Sequence, residues 1–224
     1  MRFGANPCLL LACVLSLAAA DPPWKDKPSS NWTEQDARQI LQDSPWAKTV
    51  TAGITRVQTE DERREGGNMG QPHGVGFDGM NRKQTGLKSG PGFVTLRLLW
   101  ESALPIRLAE LKAREIEPPT LEGDGYEIAV YGIPSAYFKD DPKTLGNPLK
   151  KLASLKREGK KDVKPSSVEV FQRQDGLVVV YLFPLSAEIS SKDTVMDFEA
   201  VIGRIVLKQS FDLQLMRFQG RLEL

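Results

Sequence analysis

The sequence predicts an α+β domain built on a single antiparallel β-sheet, with two packed helices and a long glycine-rich loop. Three observations point there. Residues 177–183 (Leu-Val-Val-Val-Tyr-Leu-Phe) are almost unbroken apolar sequence closed by Pro184, the mark of a strand covered on both faces. Strict alternation recurs elsewhere: Val50, Ala52, Ile54; Val94, Leu96, Leu98, Trp100; Tyr126, Ile128, Val130; and, at the C-terminus, Met216, Phe218, Gly220, Leu222, Leu224. Only two stretches, one after Thr33 and one after Ser102, carry helix starts followed by apolar residues at helical spacing.

The chain opens with Arg2, an apolar run over residues 8–17, and Ala18-Ala19-Ala20 before Asp21. That is the pattern of a secretory signal peptide over residues 1–20, cleaved after Ala20, and the run is too short to cross a bilayer. A rival is the lipobox-like Leu10-Leu11-Ala12-Cys13, which would lipidate Cys13 and anchor the protein. Little apolar sequence precedes that cysteine and much follows it, so cleavage after Ala20 is preferred. Both cysteines, Cys8 and Cys13, fall inside the signal, so the mature chain has no thiol and must hold itself together by core burial. Removing Arg2 takes Lys+Arg from 30 to 29, equal to the 29 Asp+Glu, and no global field recruits a polyanion such as nucleic acid. No later stretch is long enough for a transmembrane span. The expected location is periplasmic or secreted.

Residues 21–31, rich in Pro, Lys and Ser, read as a flexible leader, and residues 32–224 as one domain. Thr33 caps a helix over Glu34–Gln42, with Asp36 completing an acidic capping box and Ser44-Pro45 ending it. Trp32 and Trp46 bracket this helix and are expected to clamp it to the sheet. After the strand at residues 49–55 comes a charged run and then residues 66–92, with nine glycines in 27 positions, read as a mobile loop that only a partner would order. A strand from Val94 leads to Ser102 as N-cap, Pro105 in the first turn, and a helix to about Glu115. Its sheet-facing stripe is Leu104, Leu108 and Leu111 with Ala109 and Ile116; Arg107, Glu110, Lys112 and Arg114 face water.

A further strand over residues 126–131 follows Gly123-Asp124-Gly125. Residues 149–165 allow two readings. Leu149, Leu152 and Leu155 suit a helix, whereas Arg157-Glu158-Gly159-Lys160 suits a hairpin turn, which is preferred. Val168 and Val170 start a strand that turns at Gln174-Asp175-Gly176. Apolar residues then lie at even positions in Met196, Phe198, Ala200 and Ile202, and at odd ones in Ile205, Leu207 and Phe211. A bulge or tight bend at Gly203-Arg204 would return both sets to the core.

Chemistry-bearing motifs are few. Gly74-Val75-Gly76-Phe77-Asp78-Gly79 fits G-x-G-x-x-G in letter, but no strand enters it and no helix leaves it, so no dinucleotide cofactor is expected. His73 is the single histidine; with no mature cysteine, no transition-metal site, cysteine nucleophile or preorganised Ser-His-Asp triad is expected. No EF-hand run occurs. Paired carboxylates are the open case. Asp124 and Asp140-Asp141 lie in loops where a glycosidase-type pair could sit, although solvated acids sit there too. The seven cations in the fifteen residues 150–164 are interspersed with Glu158 and Asp162 and lack an aromatic for base stacking, as in a solvated hairpin. Asn31-Trp32-Thr33 is a sequon only in a glycosylating host.

Trp32-Thr33-Glu34-Gln35-Asp36 with Ser44-Pro45-Trp46, Trp100-Glu101-Ser102-Ala103-Leu104-Pro105, and the closing Gly220-Arg221-Leu222-Glu223-Leu224 resemble segments of uncharacterised exported bacterial proteins, over most of the mature chain. The resemblance implies a bacterial envelope setting and carries no activity, ligand or site residue. The expectation is a non-enzymatic binding or structural protein whose partner is an unknown protein or envelope component. An envelope-polymer hydrolase using paired carboxylates is the alternative.

Overall fold

The computed structural model describes residues 21–55, 92–113, 123–137 and 145–224. The charged run at residues 60–65, residues 66–91 with His73 and the G-x-G-x-x-G segment, Pro118-Pro119 and Asp140-Asp141 lie outside the described residues.

Ten strands are described: β1 Ala47–Ile54, β2 Phe93–Trp100, β3 Gly125–Ile133, β4 Ala153–Lys156, β5 Ser167–Arg173, β6 Gly176–Pro184, β7 Val195–Ile202, β8 Ile205–Asp212, β9 Arg217–Phe218 and β10 Arg221–Leu222. The first eight form one antiparallel sheet in the order β4-β7-β8-β1-β2-β3-β6-β5. Four α-helices are described rather than the two expected: α1 Pro23–Asp26, α2 Glu34–Gln42, α3 Leu104–Ala113 and α4 Gly146–Lys151. The fold is therefore sheet-dominated, with helices laid on it.

The sheet curls. Tyr181 of β6 meets Phe198 of β7 edge to face at 5.3 Å, and Trp100 of β2 meets Phe211 of β8 at 5.2 Å, although neither pair of strands is adjacent in the sheet. The pairing register assigns the faces. Leu96, Leu98 and Trp100 look inward, as do Ile128 and Val130, Tyr181 and Phe183, Phe198 and Ala200, and Leu207 and Phe211. This inner set is buried and forms the core. α4 lies between the two sheet edges, touching β5 and β7, and Lys150 Nζ donates to Ser166 O at 2.5 Å. On the outside, α2 and α3 pack on each other over the β1–β2–β3 region.

Several local expectations hold in detail. Thr33 Oγ1 accepts from Asp36 N at 3.1 Å and Asp36 Oδ2 accepts from Thr33 N at 2.8 Å, a closed capping box on a helix of the expected bounds. That backbone donor and then Lys27 hold the Asp36 carboxyl below its ordinary range. β6 is buried on both faces. Gly203 and Arg204 form the tight bend, pairing Ile202 with Ile205, so even positions of β7 and odd positions of β8 share the inner face. The 149–165 stretch divides between both readings: Leu149 ends in α4, and Leu155 bridges back to Val163 around the Gly159 turn.

Four expectations are corrected. The α3 stripe is rotated: Pro105, Ile106, Ala109 and Glu110 are buried, whereas Leu104 and Leu111 are exposed. The alternative face at 106, 109, 110 and 113 is equally regular, and a polar cluster beneath it accepts Glu110, so Glu110 does not face water. Ser102 does not cap α3. Its Oγ accepts from Glu127 N at 3.0 Å, and the Ala103 carbonyl opens the helix. The C-terminus is not one strand but the β9–β10 hairpin, turning at Gln219 (φ 49°) and Gly220 (φ 80°), left-handed values of the kind that two-residue hairpins require. Met216 and Phe218 are buried; Leu222 and Leu224 are half-buried against the core. Finally, the leader is docked. Trp24 meets Trp46 at 6.3 Å, and Lys27 pairs with Asp36 at 2.9 Å, because burying an indole outweighs the ordering cost of a short Pro- and Ser-rich segment. Trp32 and Trp46 are buried, and the partners they tie down are the leader and the terminal hairpin: Trp32 packs on Phe218 and donates from Nε1 to the carbonyls of Pro23 and Lys27, and Trp46 Nε1 donates to Glu223 O at 2.8 Å.

Candidate functional site

Two places gather polar chemistry. The first lies under α3 on the outer face of β2 and β3. Glu101 follows directly on β2, and its N–H donates to Glu127 O at 2.8 Å, so two antiparallel neighbours fix where its side chain starts. The Tyr131 hydroxyl donates to Glu101 Oε1. Alternation puts that tyrosine outward, one residue beyond the inward Val130, and a β-bulge against β6 lies between Val130 and Ile133, with Gly132 at φ 78°. The guanidinium of Arg97, paired with Tyr131 across the sheet, sits 4.9 Å from its ring centroid, and that of Arg173 sits at 5.4 Å. Glu101, Glu110 and Glu127 are all buried here.

Burial pushes the Glu101 carboxyl up to about 7, against the opposing pull of its hydrogen bonds to Tyr131 and Glu110 and the charge of Arg97. Among the described residues no donor reaches Glu101 Oε2. Glu101 and Glu110 are hydrogen-bonded to each other, so the two carboxyl groups share one proton, as like charges must at that distance. Burial and then the Glu101 charge raise the Tyr131 phenol far above its ordinary range, so it remains a donor. Chemically this is a proton-sharing lock between β2, β3 and α3. Its acids touch, whereas a glycosidase pair stands roughly 5 to 10 Å apart with a sugar between.

The second place is a surface cleft of about 690 Å³ at the edge of β4 and β7, lined by Lys156, Arg157, Lys192, Asp193 and Asp197 among others. Asp193 accepts from Lys160 Nζ at 2.7 Å, Ser190 N at 3.0 Å and Arg157 at 3.4 Å. Burial pushes its carboxyl up, but these donors outweigh it and hold it at about 2. A second, shallower cleft of about 420 Å³ lies beside it on the outer face, with Lys151, Lys156, Lys164 and Lys208 around Leu152, Val201 and Val206.

Of the acids named from sequence, Asp124 is exposed on the turn before β3 and joins neither place, and Asp140-Asp141 lie outside the described residues. Of the Lys150–Lys164 cations, Lys156 and Arg157 line the first cleft and Lys151, Lys156 and Lys164 the second, mixed with acids. Sequence reasoning missed the Glu101 cluster, since its members are far apart in the chain and look solvated. The one available signal was Glu127 set inside an otherwise apolar strand. Among the described residues no group of three or more His, Cys, Asp or Glu is placed to hold a metal ion, and no helix is long and apolar enough to cross a membrane. No family model matches the chain, and no curated protein or solved structure matches it.

Proposed function

We propose that the chain is a single exported α+β domain serving the bacterial envelope as a non-enzymatic binding protein, and that it engages its partner on the outside of the curled sheet. One observation carries this. Curled sheets that enclose small ligands leave their interior open, whereas here Trp100, Tyr181, Phe183, Phe198 and Phe211 converge on it, all fully buried. The accessible relief among the described residues includes the charged clefts around β4, β7 and β8. The segments that resemble exported bacterial proteins support the envelope setting. Their Trp32, Trp46 and Trp100 are buried, as residues that serve packing rather than chemistry would be. The polymer-hydrolase alternative gains no support from the acids in contact, which lie beneath a helix.

The test is a pull-down from bacterial envelope extract with the purified protein as bait. The expected result is a captured component that is lost when Lys156→Glu and Lys208→Glu are introduced together and retained with Glu101→Gln. Release of soluble sugar from purified envelope polymer, abolished by Glu101→Gln, would overturn the reading.

A further inference from the structure

One row of residues crosses five strands on the outer face at the rim where β1 ends. Val201 pairs with Val206, Val206 with Gly53, and Gly53 with Phe93; Leu152 stands opposite Val201, whose N–H donates to its carbonyl. Phe93 is 70% exposed, Leu152 51% and Val206 45%. With strands about 4.8 Å apart the row is roughly 19 Å long. Gly53 leaves an open notch in it, with no atom of the described residues within 4 Å of where a Cβ would stand. One step along the strands the same face turns polar, through Glu199, Lys208, Thr51 and Thr95.

Lysines gather at the same rim. Lys151, Lys156, Lys164 and Lys208 share the shallow cleft with Leu152, Val201 and Val206, against two acids, Glu199 and Asp162. Glu199 is bridged by Lys156 at 2.5 Å and Lys208 at 3.0 Å, so cations are in excess. The row lies on the outer side of the curled sheet, beside the shallow lysine-lined cleft. Separate apolar side chains backed by long-stemmed lysines suit a deformable boundary, in which the apolar tips enter and the ammonium groups reach phosphates.

We propose that this rim is a peripheral docking surface for anionic phospholipid, with Phe93, Val206 and Leu152 entering the acyl boundary and Lys151, Lys164 and Lys208 meeting headgroup phosphates. The inference rests on the binding-protein reading and names its partner as a lipid surface.

The experiment is co-sedimentation of the purified protein with large vesicles of phosphatidylglycerol and phosphatidylcholine, against vesicles of phosphatidylcholine alone. Binding is expected to the anionic vesicles, to fall with added salt, and to drop about fivefold for each of Lys151→Gln and Lys208→Gln. The native tryptophans are all buried, none more than 9% exposed. Phe93→Trp therefore introduces one exposed indole, whose emission should shift to the blue with anionic vesicles alone. Gly53→Asp charges the notch without crowding and should weaken binding while leaving circular dichroism unchanged. Equal binding to both vesicles, no binding at low salt, or binding indifferent to these substitutions overturns the proposal. If vesicles fail while the same lysine variants abolish capture of an acidic envelope protein, lipid is excluded and the binding-protein reading stands. Polymer hydrolysis, by contrast, removes that reading itself.

Discussion

Replacing Glu101 by Gln should change how stability depends on pH. In the folded protein the Glu101 carboxyl is raised from 4.5 to about 7, so the native state holds its proton more tightly than the unfolded chain does. The stabilisation is present in full below about pH 4.5, declines as pH rises toward 7, and is gone above it. At about 1.4 kcal/mol per pH unit, the native protein should lose about 3 kcal/mol across that window. Asp36, Asp193 and Glu199 are shifted the opposite way. Their contributions are complete above the unfolded carboxylate range and fade only in stronger acid, so they leave the window clear. Gln at this position keeps an acceptor for Tyr131 and an amide donor toward Glu110 but cannot titrate. Urea unfolding of both proteins at fixed ionic strength from pH 4.5 to 8, followed by fluorescence of the buried tryptophans, should give curves that nearly coincide at the acid end and diverge by about 3 kcal/mol at the alkaline end, the variant being more stable. A difference that stays constant with pH would show that Glu101 is ionised throughout and that the shared proton does not exist. Tyr131→Phe, by removing a hydrogen bond that favours the charged carboxylate, should move the wild-type midpoint to higher pH.

Three further outcomes are expected. Deleting residues 222–224 removes two half-buried leucines and the Glu223 carbonyl that accepts from Trp46, at a cost of about 3 to 5 kcal/mol by thermal or urea unfolding; unchanged stability would mean the terminal hairpin is not part of the core. Tyr181→Phe should raise stability by about 1 kcal/mol, since the buried hydroxyl has no partner among the described residues, and a loss instead would reveal a bound water or polar guest inside the curl. Gly132→Ala meets no atom of the described residues, so its cost should be the left-handed strain alone, about 1 to 2 kcal/mol, with Tyr131 displaced and the Glu101 midpoint shifted along with it.

What could be read from the chain and what could not divide along a physical line. Alternation in β1, β2, β3, β7 and β8, the apolar run of β6 and the Thr33–Asp36 box are local signals, written within a few residues, and they place those elements. The rotation of α3 is not local. Leu104, Leu108 and Leu111 form as good a stripe as Ile106, Ala109 and Ala113, and the choice is made by what lies beneath, a buried site for Glu110. The Tyr131–Gly132 bulge likewise appears only when β3 is matched against β6. The Glu101 cluster joins residues whose burial depends on both events, so each carboxylate by itself reads as solvated. The terminal hairpin and the docked leader are missed for a related reason: Trp32 and Trp46 find partners in Phe218 and Glu223 at the far end of the chain, and Trp24 docks on Trp46.

The strand order also bears on how the fold is reached. It divides the sheet into two sets, β5-β6-β3-β2-β1 and β8-β7-β4, joined where Gly53 pairs with Val206 and Ile54 with Ile205, and reinforced by Thr55 N donating to Arg204 O at 2.7 Å and Arg204 Nε donating to Thr55 O at 2.9 Å. About 150 residues separate these partners, so joining them closes a very long loop, whereas the β5–β6 and β7–β8 hairpins close short ones. Those hairpins should form early and the β1–β8 junction late. A chain emerging N-terminus first must hold β1 unpaired on that side until β8 arrives, and in the finished protein amide hydrogens along this junction should exchange sooner than those of β6.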